Sequence, residues 1–429
     1  MQPSSDLMSV EEAQQRILSQ VRVLQPEERP ILEALGQTLA EDVYAGFNIP
    51  PMDNSGMDGY AVRAEDIATA SETHPVPLRV IGLVAAGHAT QTRVVSGTAI
   101  RIMTGAPIPP GADTVVPFED TDELEQRQRG TLSSGLTEIA IKTSASKGSS
   151  VRPLGEDVKQ GALIISQGTL LRAAHMGVLA SLGRSTVRVI RRPTVAILAT
   201  GDELREPGET LGPGQIYNSN SYSTAALVMS CGAVPKVLPI ARDTVSDLTS
   251  KIREGMEADL FITSAGVSTG EYDLVKDVLT QQGSMDFWRV RMRPGKPLAF
   301  GLLRRDDGTL LPHIGLPGNP VSSMIAFDQF ARPAILMMMG KPLASRPTVN
   351  AVLEETVENS DQRRFYARAV LRKDGDSYYV RLTGSQGSNL LTSMALANCL
   401  IVVPEQVTQV NQGERVTVQI LEGYEDLFS

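Results

Sequence analysis

The sequence predicts a multidomain fold of the α/β plus β type, and three observations carry this. Apolar, β-branched runs alternate with helical periodicity over residues 191–341, as in a mostly parallel, doubly wound sheet. A stretch rich in Gly, Pro, Val and Thr over 48–159 interrupts two segments of helical pattern, so it reads as an inserted β-rich domain. Beyond residue 341 the helices stop and short strand patterns follow. The expected division is a discontinuous helical framework domain (1–47 with 160–190), the insertion (48–159), the α/β domain (191–341) and a small all-β domain (342–429). A chain of 429 residues is long enough for about three domains of roughly 150 residues.

Taken in order, the first helix opens with a capping box, Ser9 and Glu12, and carries Val10, Ala13, Ile17 and Val21 at helical spacing. Alternating runs at Pro77–Leu83 and Thr98–Met103 read as strands of the insertion, and the hydrophilic run Asp120–Gly130 as an exposed loop. A helical pattern from Leu171 to Leu182 stops at Gly183, a good cap. Thr194–Thr200 is a strand covered on both faces, followed by a helix near Ser223–Cys231 capped by Asn220 or Ser221. Thr244–Met256, Leu274–Gln281 and Val321–Met339 are helical, and Asp259–Ser264 and Leu311–Leu316 are strands. Val349–Val357, Phe365–Leu371, Tyr378–Leu382, Leu400–Val403 and Arg415–Leu421 form the last, all-β stretch.

Forty Lys and Arg against 49 Asp and Glu give a net charge of −9, with 41% hydrophobic residues. That composition excludes a disordered chain and argues against a dedicated nucleic-acid or anionic-membrane binder. Two cysteines, Cys231 and Cys399, make no disulfide framework, and His74, His88, His175 and His313 show no zinc spacing. The start MQPSSDLMSVEE lacks a basic stretch followed by an apolar core, so no signal peptide is expected, and no apolar run has the roughly 18 residues of a span. The expected location is the cytoplasm.

Chemistry is expected after the buried strands. The loops Gly201-Asp202-Glu203-Leu204, 265–273 (Ala-Gly-Val-Ser-Thr-Gly-Glu-Tyr-Asp) and Pro317-Gly318-Asn319-Pro320 all fall at one edge of one sheet. Glycines there permit close backbone approach, and helix starts favour phosphate. Carboxylates beside a phosphate call for a divalent cation between them. A second feature is cationic: in Phe287–Pro297, an extended chain points Arg289, Arg291 and Arg293 to one face and Val290 and Met292 inward, with Lys296 close behind. Such a concentration in an acidic chain suits an anion. In the insertion, 50–63, 101–107 and 151–157 are polar turns beside apolar neighbours, and physics alone assigns them no chemistry.

The motifs PPMDNSGMDGYAVR (50–63), RIMTGAPIPPGADTVV (101–116), VRPLGEDV (151–158), ATGDEL (199–204), GVS-x-G-x-x-D (266–273), RPGKP (293–297) and LPGNPVSS (316–323) occur in this order. Together they closely resemble the MoeA family, the molybdopterin molybdenumtransferases, whose animal relative is the E domain of gephyrin. The resemblance implies four subdomains, the α/β one MogA-like and the last barrel-like, in an elongated homodimer. It implies the last step of molybdenum cofactor synthesis: adenylylated molybdopterin and molybdate give molybdenum cofactor, AMP and water, with Mg²⁺. The family pattern places Asp202, Glu203, Gly266, Ser268, Asp273, Pro317, Gly318, Asn319 and Pro320 along the pterin cleft, with Asp273 and Glu203 on the metal. Asp243 matches a further functional acid. Arg293 and Lys296 match molybdate-binding cations, with Arg289 beside them and Arg364 and Ser388 as helpers. Asp58, Thr104, Arg152 and Asp157 match functional positions of the insertion, which in the family faces the partner chain's cleft. Arg289 and Arg293 stand where many relatives have lysine, Gly56 where Ala is usual and Ala265 where Gly is common. The expected upstream partner is a MogA-type adenylyltransferase, and neither nucleic acid nor membrane is expected. The alternatives are that adenylyltransferase activity itself, or a gephyrin-like scaffold.

Overall fold

The computed structural model describes residues 7–129, 137–264, 274–342 and 345–421. They form two compact units: Met1–Ala40, Gly168–Met176 and Thr186–Ser429 in one, and Glu41–Gln167 with Gly177–Ser185 in the other.

The larger unit is organised by a six-stranded sheet. Its strands are β1 (Thr194–Ala199), β2 (Val234–Val237), β3 (Leu260–Ser264), β4 (Gly283–Arg289), β5 (Pro297–Arg304) and β6 (Leu310–Leu316), in the order β2-β1-β3-β6-β5-β4. The first four are parallel, and β5 and β4 add antiparallel at one edge. Period-two alternation sends neighbouring residues of one strand to opposite cores. Val195, Ile197, Leu260 and Ile262 pack with Val228, Ile325 and Phe330, while Ala196, Leu198 and Phe261 pack with Leu248, Ile252 and Val278. Both faces are therefore covered, as the unbroken apolar strands require. The first helix, Val10–Leu18, is capped as expected, with the Glu12 N–H donating to Ser9 Oγ at 3.1 Å. Its Val10, Ala13 and Ile17 enter the first of these two cores.

Two helices differ from the sequence reading. The one expected near Ser223 starts a turn earlier, at Ser219, with Asn218 as the cap accepting the Ser221 N–H. The long helix expected from Val321 starts at Pro320 and passes through a π turn at Phe327–Ala331. There Asp328 is buried and paired with Arg346 at 2.8 Å. After it, Thr348–Leu353, Arg364–Asp374, Ser377–Leu382, Cys399–Val403 and Arg415–Ile420 close on one another into a five-stranded barrel. The barrel-like expectation for the C-terminal region is met.

The smaller unit holds a five-stranded sheet of Thr114–Pro117, Gly59–Val62, Thr98–Ile102, Val76–Val84 and Glu138–Ile141. The run Asp120–Gly130 is not an exposed loop: Glu123–Gln128 is helical and Glu123 is fully buried. Its carboxylate accepts from the Tyr60 hydroxyl at 2.7 Å and pairs with Arg101 at 2.9 Å and with Arg127. Among the described residues no helix is long and apolar enough to cross a membrane.

His313 lies in β6, fully buried, with Nε2 3.0 Å from Thr263 Oγ1. Burial pushes its pKa down to about 3. Below the ordinary value near 6.5 the unfolded chain takes up a proton that the folded chain refuses, so stability rises with pH across this window. Between pH 7 and 5 the loss from His313 is expected to be about 2 kcal/mol. A His313→Gln variant should show a flatter dependence of the unfolding midpoint on pH, and an identical slope in both proteins rules His313 out as its source.

Candidate active site

Register aligns the carboxyl ends of the central strands. Ala199 pairs with Ser264 and Ser264 with Leu316, so β1, β3 and β6 end in one row. The loops after β1 and β6 leave this edge on either side of β3, which is where ligands bind in open α/β sheets. Gly266, Ser268 and Asp273, of the loop after β3, lie outside the described residues. The edge holds a cleft of about 290 Å³ lined by Thr200, Glu203, Tyr217, Asn218, Asn220, Ser264, Gly318, Asn319, Pro320 and Asn389.

Each wall has a local cause. Gly201 has φ +144°, and a Cβ there would meet the Glu203 carboxylate at 2.4 Å. The glycine is what lets Glu203 curl back over the loop. Gly201→Ala is expected to displace that carboxylate and cut turnover at least tenfold, because a misplaced group at the reacting centre costs about 10²-fold. Assaying turnover alongside the unfolding midpoint checks this, and full activity overturns it. Asp202 faces Arg242 at 3.9 Å, both exposed. Thr200 pairs with Ala241, so exposed Asp243 runs alongside the same loop.

On the other wall, Asn220 Nδ2 donates to the Gly318 carbonyl at 2.7 Å and ties two helix starts together. Pro317 and Gly318 lead into Asn319, and Pro320 at the first helical position has no N–H to satisfy. The Val321 N–H donates to the Ser388 carbonyl at 3.2 Å, bringing the barrel's 384–389 loop to the cleft. Four buried polar atoms here have no partner among the described residues: Ser264 Oγ and Asn220 Oδ1, of residues lining the cleft, and Ser221 Oγ and Ser323 Oγ, in the first turns of the two helices that start beside it. Native interiors leave few such atoms. Hydroxyl donors and open helix starts suit an anionic oxygen ligand.

The cationic stretch is extended but broken. Val290 and Met292 are fully buried and the arginines point the other way, as the alternation requires. β4 ends at Arg289, and the Val290 N–H then closes a turn onto the Lys296 carbonyl at 2.7 Å. Arg291 donates to the Leu7 carbonyl. Arg293 stacks on Phe365, with Cζ 3.7 Å from the ring centre, and lies 3.6 Å from Asp361. Burial lowers its pKa. Gly295, at φ +100°, has its Cβ position 3.6 Å from the Ser322 carbonyl, so the RPGKP turn rests on the helix that begins at Pro320. Arg364 is held by Glu11 and Glu405. Among the described residues Arg289 and Lys296 form no ion pair.

Arg368 lies outside every motif quoted above. It is fully buried in the barrel strand, where Nε donates to Ser393 Oγ at 2.8 Å and Nη2 to the carbonyls of Ser385 and Gly387 at 3.1 Å. It thereby supports the loop that carries Ser388 and Asn389. The available signal was an arginine inside the otherwise apolar FYARAVL run. The segment 217–221 also lies outside those motifs, and its residues read only as a helix cap.

In the smaller unit the three turn motifs converge. Asn54 pairs with Arg152 and Pro107, the Gly105 N–H donates to the Ser55 carbonyl, and the Asp157 N–H to the Ile49 carbonyl. Asp58 Oδ1 accepts from both the N–H and the hydroxyl of Thr104 at 2.7 Å, and these bonds hold its pKa below the usual carboxylate range. Thr104, Arg152 and Asp157 are exposed and Asp58 is half-buried.

Doubly wound sheet, carboxyl-edge cleft and paired helix starts define an α/β protein with a cleft of the kind in which such sheets hold ligands. Residues 8–183 match the MoeA N-terminal region (domain I and II), 196–337 the probable molybdopterin binding domain, and 350–421 the MoeA C-terminal region (domain IV). The chain is 38% identical over 419 residues to molybdopterin molybdenumtransferase 2 of Mycobacterium tuberculosis, covering 96% of this chain and 99% of that one. It is 35% identical over 423 residues to the molybdopterin molybdenumtransferase of Haemophilus influenzae, covering 96% and 98%. The crystal structure of a Pyrococcus horikoshii MoeA protein superposes with a TM-score of 0.80 at 32% identity, covering 97% and 100%. The chain belongs to the molybdopterin molybdenumtransferase (MoeA) family, and is a transferase of molybdenum cofactor biosynthesis.

Proposed function

We propose that the chain inserts molybdenum from molybdate into adenylylated molybdopterin, releasing AMP and water. The Ser264 hydroxyl, which lines the cleft, carries this reading together with the Ser221 and Ser323 hydroxyls in the first turns of the two adjoining helices: none has a partner among the described residues, and phosphate oxygens would accept from them. The donor set also fits Mg²⁺: the Glu203 carboxylate and Thr200 hydroxyl line the cleft, and both are hard oxygens. Mg²⁺ is usually held by one or two carboxylates together with substrate phosphates, so Glu203 with Asp273 suffices. Bound there, it would offset negative charge on the phosphoanhydride.

The chain's own groups would do the rest. The backbone N–H groups at the start of the Ser219–Ser230 helix and the serine hydroxyls orient the phosphates, and Asp202 and Asp243 flank them. Lys296, with Arg289 beside it, draws in molybdate, and Arg293 acts from its stacked position. Preorganised charge of this kind stabilises the transition state without a nucleophilic side chain. We infer a homodimer in which Asp58, Thr104, Arg152 and Asp157 complete the partner's cleft. We also infer a MogA-type adenylyltransferase supplying the substrate, and a cytoplasmic location. The net charge of −9 supports the absence of nucleic acid from the partners.

The deciding assay is AMP release from adenylylated molybdopterin with and without molybdate. Release only with molybdate supports insertion. Adenylylation of molybdopterin from ATP would favour the adenylyltransferase alternative, and an inactive protein the scaffold. The matched regions outside the α/β domain count against the first alternative.

Lys296→Ala is expected to raise the half-saturating molybdate concentration about 10- to 150-fold, the equivalent of a charge-assisted hydrogen bond of 1.5–3 kcal/mol. Arg293→Ala should do the same and also lower the unfolding midpoint, since its ring contact with Phe365 is lost. Unchanged half-saturation in both variants removes them from the molybdate site.

A further inference from the structure

Beside the polar cleft lies a second, more open hollow, and the two share Tyr217, Asn218 and Ser219. Its remaining walls include Pro207, Tyr222 and Leu391. Tyr217 and Tyr222 are unusually exposed for tyrosines, at 44% and 54%. Their hydroxyls are nevertheless anchored. Tyr217 donates to the Glu209 carbonyl at 2.9 Å and Tyr222 to Glu206 Oε2 at 3.0 Å. Glu206 Oε1 in turn accepts from Asn218 Nδ2 at 3.3 Å, the residue that caps the Ser219–Ser230 helix.

This is an uncommon use of two large rings. Each is pinned through its polar end while its faces stay open, so little side-chain freedom remains to be lost on binding. They flank the start of a 12-residue helix whose first turn also holds the buried Ser221 hydroxyl, without a partner among the described residues. A polar, anion-type pocket thus adjoins an aromatic ledge. A ligand that matches both has a phosphate next to a flat ring system, because base–aromatic stacking tolerates any planar π-face.

We propose that Tyr217 and Tyr222 form the stacking platform for the planar nitrogen heterocycle of the ligand whose phosphate enters the adjoining cleft, an assignment that rests on reading the cleft as a phosphate site. The heterocycle is either the adenine or the pterin half, since both present the same chemistry to a tyrosine face.

Calorimetric titration of the full chain with AMP, 6-hydroxymethylpterin and inorganic pyrophosphate tests this. Tyr217→Ala and Tyr222→Ala are expected to weaken AMP or the pterin about 5- to 150-fold, the range of a lost stacking contact. Pyrophosphate binding should stay within about twofold in both variants. Tyr222→Phe keeps the ring and should hold affinity within about threefold. Whichever heterocycle loses affinity identifies the half that stacks. Unchanged binding of both in the two alanine variants overturns the platform. Pyrophosphate binding as tight as AMP in the unaltered protein, with no pterin binding, overturns the platform while leaving the phosphate cleft standing. Binding of none of the three overturns the cleft reading and the platform with it.

Discussion

A mixed dimer carrying Asp58→Asn in one chain and Glu203→Gln in the other is expected to regain about half of the wild-type activity, whereas each mutant homodimer is inactive. The expectation follows from two-fold symmetry, which makes both sites equivalent. If the insertion of one chain completes the cleft of its partner, each site takes Asp58 from one chain and Glu203 from the other. Both homodimers then carry a defect in every site. The mixed species has one site with both changes and one with neither. If both residues instead serve one chain's own site, every site keeps a defect and no activity returns. Co-expression with two affinity tags isolates the mixed dimer, and a dead preparation refutes the shared site. Asp58 suits the test because it lies outside the buried core, so its change to Asn disturbs the Thr104 bonds and little else.

Glu123→Ala is expected to cost the smaller unit about 3–5 kcal/mol, the penalty of removing one partner from a buried ion pair. Glu123 is fully buried, and its carboxylate is shared by Tyr60, Arg101 and Arg127. Arg101 is itself largely covered and also donates to the Gly59 and Ile102 carbonyls, so it has no easy route to water. The milder Tyr60→Phe removes only one hydrogen bond, worth about 1 kcal/mol net. Thermal unfolding followed by limited proteolysis of the 41–167 region measures both. A midpoint unchanged by Glu123→Ala would mean that the charge cluster contributes nothing to the fold.

Much of the architecture was legible in the residues. Uninterrupted apolar strands such as Thr194–Ala199 and Leu260–Ser264 demanded cover on both faces, and two cores supply it. Ser9 with Glu12 marked a helix start that the structure keeps. The loops after β1 and β6 were placed at one edge by strand–helix alternation alone, and the register bears this out. The alternation of Val290 and Met292 against the arginines was also readable, being a property of any extended chain.

Other features depended on contacts between distant residues. Asp120–Gly130 looks solvent-exposed because it is hydrophilic, yet Glu123 is buried by partners 22 and 63 residues away. The arginines of 289–293 looked like one anion site. Local pattern set the face they occupy, but Phe365, Asp361 and Leu7 decided what each one meets. Nothing in the local pattern around Arg368 named its partners, which are carbonyls of the 384–389 loop. Local sequence determined where strands and helices form and which residues face inward, because those follow from the backbone period. The partner of each charged group, and the convergence of Asn220, Ser264, Gly318 and Asn389 on one cleft, came only from tertiary structure, because electrostatic and hydrogen-bond partners are set by distance in space, which separation along the chain does not encode.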